Sequence, residues 1–234
     1  MKIHCFYYFF SCLDNKVDES IKKVCYIVIY KRLKEIKGML LMKRIGIDVD
    51  GTLTTMDAIV SVFNRETGKN LSVADLVMYD VGKCFGLSKE DAVSIWKNHS
   101  VEIFQRSICI WDIEDFMNTW RNYNTTKKGG NEILIVTARE QMYEDVTKEW
   151  LKQNKIEYDS VHFGYGSKLD AVNEHFLDVM VDDKAGHIKE IDEDKFTKCE
   201  AFIVDQPYNR WYESDRRIFV QRMQDVLGTE KVNG

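Results

Sequence analysis

Apolar and polar positions follow two different patterns along the chain, and each pattern predicts one kind of secondary structure. From Arg44 onwards, short apolar runs recur, and most end in a polar residue, as buried parallel strands do. We predict strands at Arg44–Asp48, Ile133–Val136, Ser160–Phe163, Val179–Val181 and Ala201–Val204. Helical spacing of three or four positions separates several of these runs. We predict such helices at Gln141–Gln153, Ser167–Phe176 and around Asp215–Leu227.

Strand and helix alternation of this kind predicts an α/β fold, a Rossmann-like doubly wound parallel sheet with right-handed crossovers. The segment 56–128 breaks the alternation, because only helical spacing occurs in it. Its first helix ends at Gly68, Ser72 starts a short helix towards Tyr79, and Ser88 caps the next one. A further helix follows at Asp112–Tyr123. We therefore predict an inserted helical cap at 56–128 and a catalytic core made of 43–55 and 129–234.

The first 42 residues differ from the rest and are predicted to be a peripheral N-terminal extension. Residues 3–13 (IHCFYYFFSCL) are apolar and aromatic, but no small-x-small cleavage site follows, which argues against a signal peptide. Met42 precedes the first predicted strand by two residues and would serve as an initiator. No apolar run is long enough to cross a bilayer, so we expect no membrane partner and a cytoplasmic location.

Charge is uneven along the 234 residues, whose net charge is -5. Residues 1–44 carry ten Lys and Arg against four Asp and Glu, whereas the remainder carries 23 basic and 34 acidic residues. A body that acidic does not suit binding to a nucleic acid backbone, so no nucleic acid partner is expected. The six cysteines show no zinc spacing, and we interpret them as reduced thiols.

Chemistry-bearing residues follow several predicted strands. Asp48 and Asp50 follow the first strand, Thr137 follows the second, and Asp182 with Asp183 follows a later one. The carboxyl ends of parallel strands face one crevice, so these groups should converge there. Carboxylates from different strands can share a hard cation such as Mg²⁺, and a carboxylate can attack phosphorus.

Two further residues complete this chemistry. Lys168, which opens a predicted helix, would offset the charge repulsion between a phosphate and the attacking carboxylate. Gly51 permits a sharp turn that brings Asp50 over the leaving group, where it could act as acid and base. Lys184 is a nearby competitor for the role of Lys168, and Asp183 would equally suit a helix N-cap.

The run Asp48–Thr54 (DVDGTLT) resembles the first motif of the haloacid dehalogenase-like (HAD) phosphatases. The family's other motifs follow in order at Thr137, Lys168 and Asp182-Asp183. The Thr137-Ala-Arg139 run, the helical cap and Asp205–Asn209 (DQPYN) resemble 5'(3')-deoxyribonucleotidases and bacterial nucleotidase relatives.

This resemblance implies a role for each motif residue. Asp48 is implied as nucleophile and Mg²⁺ ligand, and Asp50 as acid/base that lends its backbone carbonyl to the metal. Thr137 and Lys168 would bind the phosphoryl group. Asp182 would ligate the metal, and Asp183 would support the metal site or Lys168.

The sequence does not assign a role to several other residues. Arg139 has no assigned role, and Asn209 with Arg210 either closes the rim of the site or forms a turn. The histidines show no nucleophile or metal spacing. The aromatic residues of the cap are more typical of a core than of a base-stacking surface; they are Phe85, Trp96, Trp111 and Trp120.

The function predicted from these features is Mg²⁺-dependent hydrolysis of a phosphomonoester through an aspartyl-phosphate. A nucleoside or deoxynucleoside monophosphate is the expected substrate, and a sugar phosphate or another small metabolite is the alternative. A distant alternative is a non-catalytic phospho-acceptor or binding module. Signalling receivers place their acidic pair first and their lysine last, without a large insertion. Here Asp48 comes first and the pair Asp182-Asp183 last, which favours an enzyme.

Overall fold

The strands form a parallel sheet in the computed structural model, which describes residues 42–110, 112–125 and 130–219. They are β1 (Arg44–Ile47), β2 (Glu132–Val136), β3 (Ser160–His162), β4 (Val179–Asp182), β5 (Glu200–Val204) and β6 (Arg217–Ile218). Within the described ranges the strand order is β3-β2-β1-β4-β5-β6. The chain winds outward in both directions from β1, so the predicted doubly wound α/β fold is confirmed.

Helices connect these strands. Between β1 and β2 lie α1 (Asp57–Thr67), α2 (Val81–Cys84), α3 (Lys89–Arg106) and α4 (Ile113–Asn122). The later crossovers contain α5 (Glu144–Gln153), α6 (Lys168–His175) and α7 (Ala185–Glu193). The pattern above predicts neither α2 nor α7. Ser72 caps a short helix as predicted, in a capping box with Asp75, but this helix is a 3₁₀ turn at Val73–Asp75 and does not reach Tyr79.

Successive residues of each strand face opposite sides of the sheet, and both sides are buried. In β1, Ile45 and Ile47 pack with α4 and α5 through Trp120 and Trp150. Gly46 points to the opposite side, where a Cβ atom would lie 2.5 Å from Leu177 Cδ1. Burial on two faces explains why the strands are continuously apolar in sequence.

A separate apolar cluster lies among α1, α2 and α3. It includes Phe63 and Phe85, whose ring centroids are 5.4 Å apart. The helix α4 packs elsewhere, because Trp120 contacts Phe202 of β5 at a ring distance of 5.0 Å. Within the predicted cap, α1, α2 and α3 pack together in a cluster separate from the core of the sheet. The boundaries of the cap, 56–128, stay a prediction.

The helix predicted around Asp215–Leu227 is wrong where the structure describes it. Residues 217–218 form β6 instead, and Asp205 N donates to Ile218 O over 2.8 Å. The side chain of Ile218 is buried against the sheet, which favours pairing with β5 over a helix. Three parts of the chain with predicted features lie outside the described residues: 220–227, Trp111, and residues 1–41 of the predicted extension 1–42.

Several predicted helix boundaries are confirmed by their caps. Gly68 has φ of 67° after α1, the left-handed geometry that glycine tolerates. Ser88 Oγ accepts from Asp91 N over 3.0 Å before α3, and Ser167 Oγ accepts from Asp170 N over 3.3 Å before α6. None of the described helices has the length and hydropathy that a membrane span requires.

Candidate active site

The carboxyl end of β1 leads into a tight turn that places two carboxylates. Asp48 N continues the ladder by donating to Val181 O over 3.0 Å, so Asp48 stays aligned with the neighbouring strand. Gly51 then takes φ of 82°. A Cβ atom there would lie 2.6 Å from Tyr208 Oη and 2.7 Å from the Asp183 carboxyl carbon. Glycine is therefore required both by the backbone conformation and by the close approach of Asp183.

Three buried carboxylates converge at this turn. One oxygen from each of Asp48, Asp182 and Asp183 lies within 4.8 Å of the others. The side chain of Asp50 is not part of this cluster. The alternative reading of Asp183 as a helix N-cap does not hold, since Lys184 occupies the N-cap position of α7.

Lys168 reaches the same cluster from the first turn of α6. Its Nζ donates to Asp48 Oδ1 over 2.8 Å and to Val136 O over 2.9 Å, and it lies 3.9 Å from Asp182 Oδ2. Burial acts to lower the pKa of Lys168, but the charges of Asp48 and Asp182 outweigh it and raise that pKa. The competitor Lys184 lies 4.8 Å from the ring centre of Tyr79. The structure thus brings Lys168 to the carboxylates.

Negative charge is in excess at this site. Burial raises the pKa of Asp48 to about 6, with Lys168 opposing the effect and Asp182 adding to it. Burial and the neighbouring Asp182 and Asp48 also raise the pKa of Asp183 well above its usual value. The three buried carboxylates are compensated by only one ammonium group, that of Lys168, so a bound cation would be favoured here. The donor set therefore fits a hard divalent cation.

Two residues of the Asp205–Asn209 run form hydrogen bonds with Asp183. Tyr208 Oη donates to Asp183 Oδ2 over 2.6 Å, and Asn209 Nδ2 donates to the Asp183 carbonyl over 2.7 Å. Thr52 Oγ1 adds a contact of 3.2 Å to Asp183 Oδ1. Asn209 is buried in this network, whereas Arg210 is exposed and pairs with Asp205 over 2.8 Å. Of the two residues left open, Asn209 belongs to the support of the site and Arg210 to a surface turn.

His187 is a site residue that the sequence did not indicate. Its Nδ1 lies 3.1 Å from Asp182 Oδ2, and its Nε2 donates to Gly166 O over 3.0 Å. The ring is thereby held between α6's leading loop and the end of β4. Its place in the sequence could have indicated this, because His187 lies in the first turn of a helix that begins just after Asp182 and Asp183.

Thr137 and Arg139 follow β2, and of the two only Arg139 is among the residues that line the cavity described below. Thr137 is buried, and its Oγ1 accepts a hydrogen bond from Arg139 N over 3.1 Å. The Arg139 side chain turns towards the β1 loop, where Nη2 and Nε donate to the two carboxylate oxygens of Asp50 over 2.6 and 2.8 Å. Arg139, unassigned from sequence, is therefore the partner of the predicted acid/base.

A cavity of about 560 Å³ opens above these groups. Its polar floor contains Asp48, Asp50 and Lys168. Its wall includes the apolar and aromatic side chains of Met56, Ile59, Phe63, Val93, Trp96, Phe104 and Tyr143, and the charged side chains of Asp80, Lys89, Lys97 and Glu140. Among the described cap aromatics that we singled out, Trp96 lines the cavity, whereas Phe85 and Trp120 are packed in the cores.

The chain is similar in sequence to proteins named putative nucleotidases. No family model matches the chain. The chain is 26% identical over 169 residues to a putative nucleotidase from Halalkalibacterium halodurans, which covers 72% of this chain and 82% of that protein. It is also 26% identical over 170 residues to the putative nucleotidase YqfW from Bacillus subtilis, covering 72% and 83% respectively.

Solved structures share the fold. A putative phosphatase from Clostridium difficile matches with a TM-score of 0.52 and 13% identity, over 80% of this chain and 98% of that one. A putative β-phosphoglucomutase from Thermotoga maritima matches with a TM-score of 0.51 and 12% identity, over 80% and 99%. At these identities the likeness concerns the fold. Taken with the sequence relatives, it confirms the resemblance stated above and the expectation of an enzyme.

Proposed function

We propose that the chain is a nucleotidase-like phosphomonoester hydrolase of the HAD type, and that it removes phosphate from nucleoside or deoxynucleoside monophosphates with Mg²⁺. The observation that carries this proposal is the position of Asp48. Its carboxylate lies in the cavity floor, buried, with Lys168 Nζ at 2.8 Å. A carboxylate held this way is a competent nucleophile at phosphorus.

The reaction has two steps in this proposal. A carboxylate oxygen of Asp48 attacks phosphorus, the ester bond breaks, and Asp50 protonates the departing alkoxide. Asp50 then takes a proton from water, which attacks the phosphorus of the aspartyl-phosphate and releases inorganic phosphate and free Asp48. The Lys168 ammonium and the Thr137 hydroxyl would bind the phosphoryl oxygens.

Asp48, Asp182 and Asp183 would hold the Mg²⁺ ion together with the backbone carbonyl of Asp50. When bound, the ion supplies charge neutralisation between the phosphate and the carboxylates. His187 and Tyr208 would keep two of these ligands oriented through the contacts described above. All the protein ligands are oxygen atoms, the type that Mg²⁺ prefers.

The cavity wall supports a nucleotide as substrate. Trp96, Phe104 and Tyr143 form an aromatic cluster in which neighbouring ring centroids are 5.9 and 5.2 Å apart. Trp96 and Tyr143 are only partly buried and offer contact area to a planar base, whereas Phe104 is buried behind them. Polar side chains of the same cavity, such as those of Lys89 and Lys97, are available to the sugar of a nucleotide. The names of the sequence relatives agree with this choice.

A phosphate-release screen with purified protein and Mg²⁺ tests the proposal. We expect dUMP, dTMP or UMP to give higher kcat/KM values than glucose 6-phosphate or phosphoserine. Nucleoside di- and triphosphates should be poor substrates, because the site needs a terminal monoester. Sugar phosphates ranking first by a wide margin would refute the nucleotide assignment and leave the phosphatase. No turnover of any small phosphoester would refute both.

A further inference from the structure

We infer that Arg139 is the positioning residue for Asp50, and that it connects this acid/base to the helical wall of the cavity. The inference rests on the proposed function, because it assumes that Asp50 transfers protons. It adds a role for a residue that no motif assigned. Its basis is the set of contacts that Arg139 makes with three parts of the chain.

The first contact is a two-pronged ion pair. Arg139 Nη2 and Nε each donate to a different carboxylate oxygen of Asp50, over 2.6 and 2.8 Å. Such a fork fixes the plane and the rotation of a carboxylate, which a single hydrogen bond leaves free. Each oxygen keeps a second lone pair, so Asp50 can still exchange a proton with substrate or water.

Arg139 itself is held rigidly. Nη1 donates to Thr147 Oγ1 of α5 over 3.0 Å, and the guanidinium carbon lies 3.8 Å from the ring centre of Phe104 in α3. The arginine side chain is 1% exposed, whereas that of Asp50 is 25% exposed at the cavity. The buried, planar guanidinium of Arg139 thus holds the partly exposed carboxylate of Asp50.

This arrangement has a kinetic consequence. Asp50 lies in the loop after β1, and without the fork its side chain would sample several rotamers. Holding it in one orientation means that the entropy of alignment is lost on folding and not during the reaction. Lysine would supply the charge at that position but not the planar pair of donors, so Arg139→Lys tests orientation separately from charge.

The experiment compares two substrates with different leaving groups. Departure of a nucleoside needs a proton from Asp50, whereas departure of p-nitrophenolate from p-nitrophenyl phosphate does not. We expect Arg139→Lys to lower kcat/KM for the best nucleoside monophosphate by about 10²-fold, the effect of a misplaced catalytic group. The value for p-nitrophenyl phosphate should change little, since kcat/KM reports the steps up to phosphoenzyme formation.

Two further variants control for folding. Arg44→Lys alters another forked pair, in which Arg44 Nε and Nη2 lie 2.8 and 3.3 Å from the Glu132 carboxylate at the opposite end of β1 and β2. It should leave both kcat/KM values unchanged. Thr147→Val removes one support of Arg139 and should give a smaller loss with the same dependence on leaving group, even if Arg139→Lys fails to fold.

The outcomes separate the inference from the proposed function. Equal losses on both substrates in Arg139→Lys would mean that Arg139 acts on a step other than protonation of the leaving group. Higher activity would mean that Arg139 restrains Asp50, and either result overturns the inference. Asp50→Asn serves as the reference. If Asp50→Asn itself shows no dependence on leaving group, the acid role in the proposed function fails. If Asp50→Asn shows it and Arg139→Lys and Thr147→Val do not, only the inference fails.

Discussion

Lys168 and Asp48 are 120 positions apart in the chain, yet Lys168 Nζ donates to Asp48 Oδ1 over 2.8 Å. Both side chains are buried, and the charges of a buried pair interact more strongly than those of an exposed one. The lysine also donates to the carbonyl of Val136, so its ammonium is fixed between β1 and β2. A phosphate placed against Asp48 would meet this cation directly.

Replacing this lysine should therefore impair turnover. We expect Lys168→Met to lower kcat by about 10²–10³-fold, the usual loss when one pre-organised donor is removed. Phosphate release from the best nucleotide measures the effect, and circular dichroism checks the fold. The matched control is Lys184→Met, because the Lys184 ammonium lies over the ring of Tyr79, and the variant keeps the backbone N–H that donates to Asp182 Oδ1. A larger loss in Lys184→Met would exchange the roles of the two lysines.

Asp48→Asn and Asp50→Asn should fail at different steps. Asp48→Asn lacks the nucleophile and cannot form a phosphoenzyme. Asp50→Asn loses proton transfer, a loss of about 10²–10⁴-fold with nucleotides, but keeps the attacking carboxylate. Acid-quenched protein exposed to a labelled aryl phosphate should carry label in Asp50→Asn only. Label in Asp48→Asn at a hydroxylamine-sensitive bond would place the nucleophile elsewhere.

Metal removal should affect both activity and stability. Excess EDTA should abolish phosphate release, and Mg²⁺ at about 100 times its Kd should stabilise the fold by about 2.7 kcal/mol. For a chain of this size that corresponds to a rise in Tm of roughly 5–10 °C. The shift should disappear in Asp183→Asn, because one of three buried ligands loses its charge. Full activity in EDTA would contradict the metal assignment.

His187 offers a subtler test of the same site. His187→Phe keeps the ring volume but removes the contact of 3.1 Å with Asp182. Losing a residue that orients a ligand typically weakens metal binding by about 10–100-fold. Calorimetric titration with Mg²⁺ measures this affinity. An unchanged Kd would show that Asp182 needs no support from His187.

Trp96 should affect substrate binding without affecting the chemistry. We expect Trp96→Ala to raise KM for nucleoside monophosphates about tenfold, equivalent to ~1.4 kcal/mol of lost contact. Inhibition by inorganic phosphate should stay the same, because the phosphate subsite is unaltered. Trp211→Ala is the control, since Trp211 is 67% exposed and does not line the cavity. Equal KM values for the variant and the wild-type protein would show that the base does not contact Trp96.

Local pattern was sufficient for the sheet, because burial on both faces requires continuous apolar runs. The strands β1, β2, β4 and β5 were predicted to within about a residue at each end for that reason. The motif residues Asp48, Asp182 and Lys168 were also found from sequence, since each stands directly beside a recognisable strand or helix end. Short elements were missed or misassigned: α2 and β6 contain four and two residues, too few for a periodic signal.

What the sequence by itself determined was the fold class and the set of groups at the strand ends, because parallel topology brings those ends together whatever the loops do. Only the tertiary structure decided how these groups pair. Lys168, and not Lys184, donates to Asp48. His187 contacts Asp182. Arg139 donates to both carboxylate oxygens of Asp50. Such pairings depend on side-chain direction and packing between distant segments, and neither leaves a local pattern in the chain.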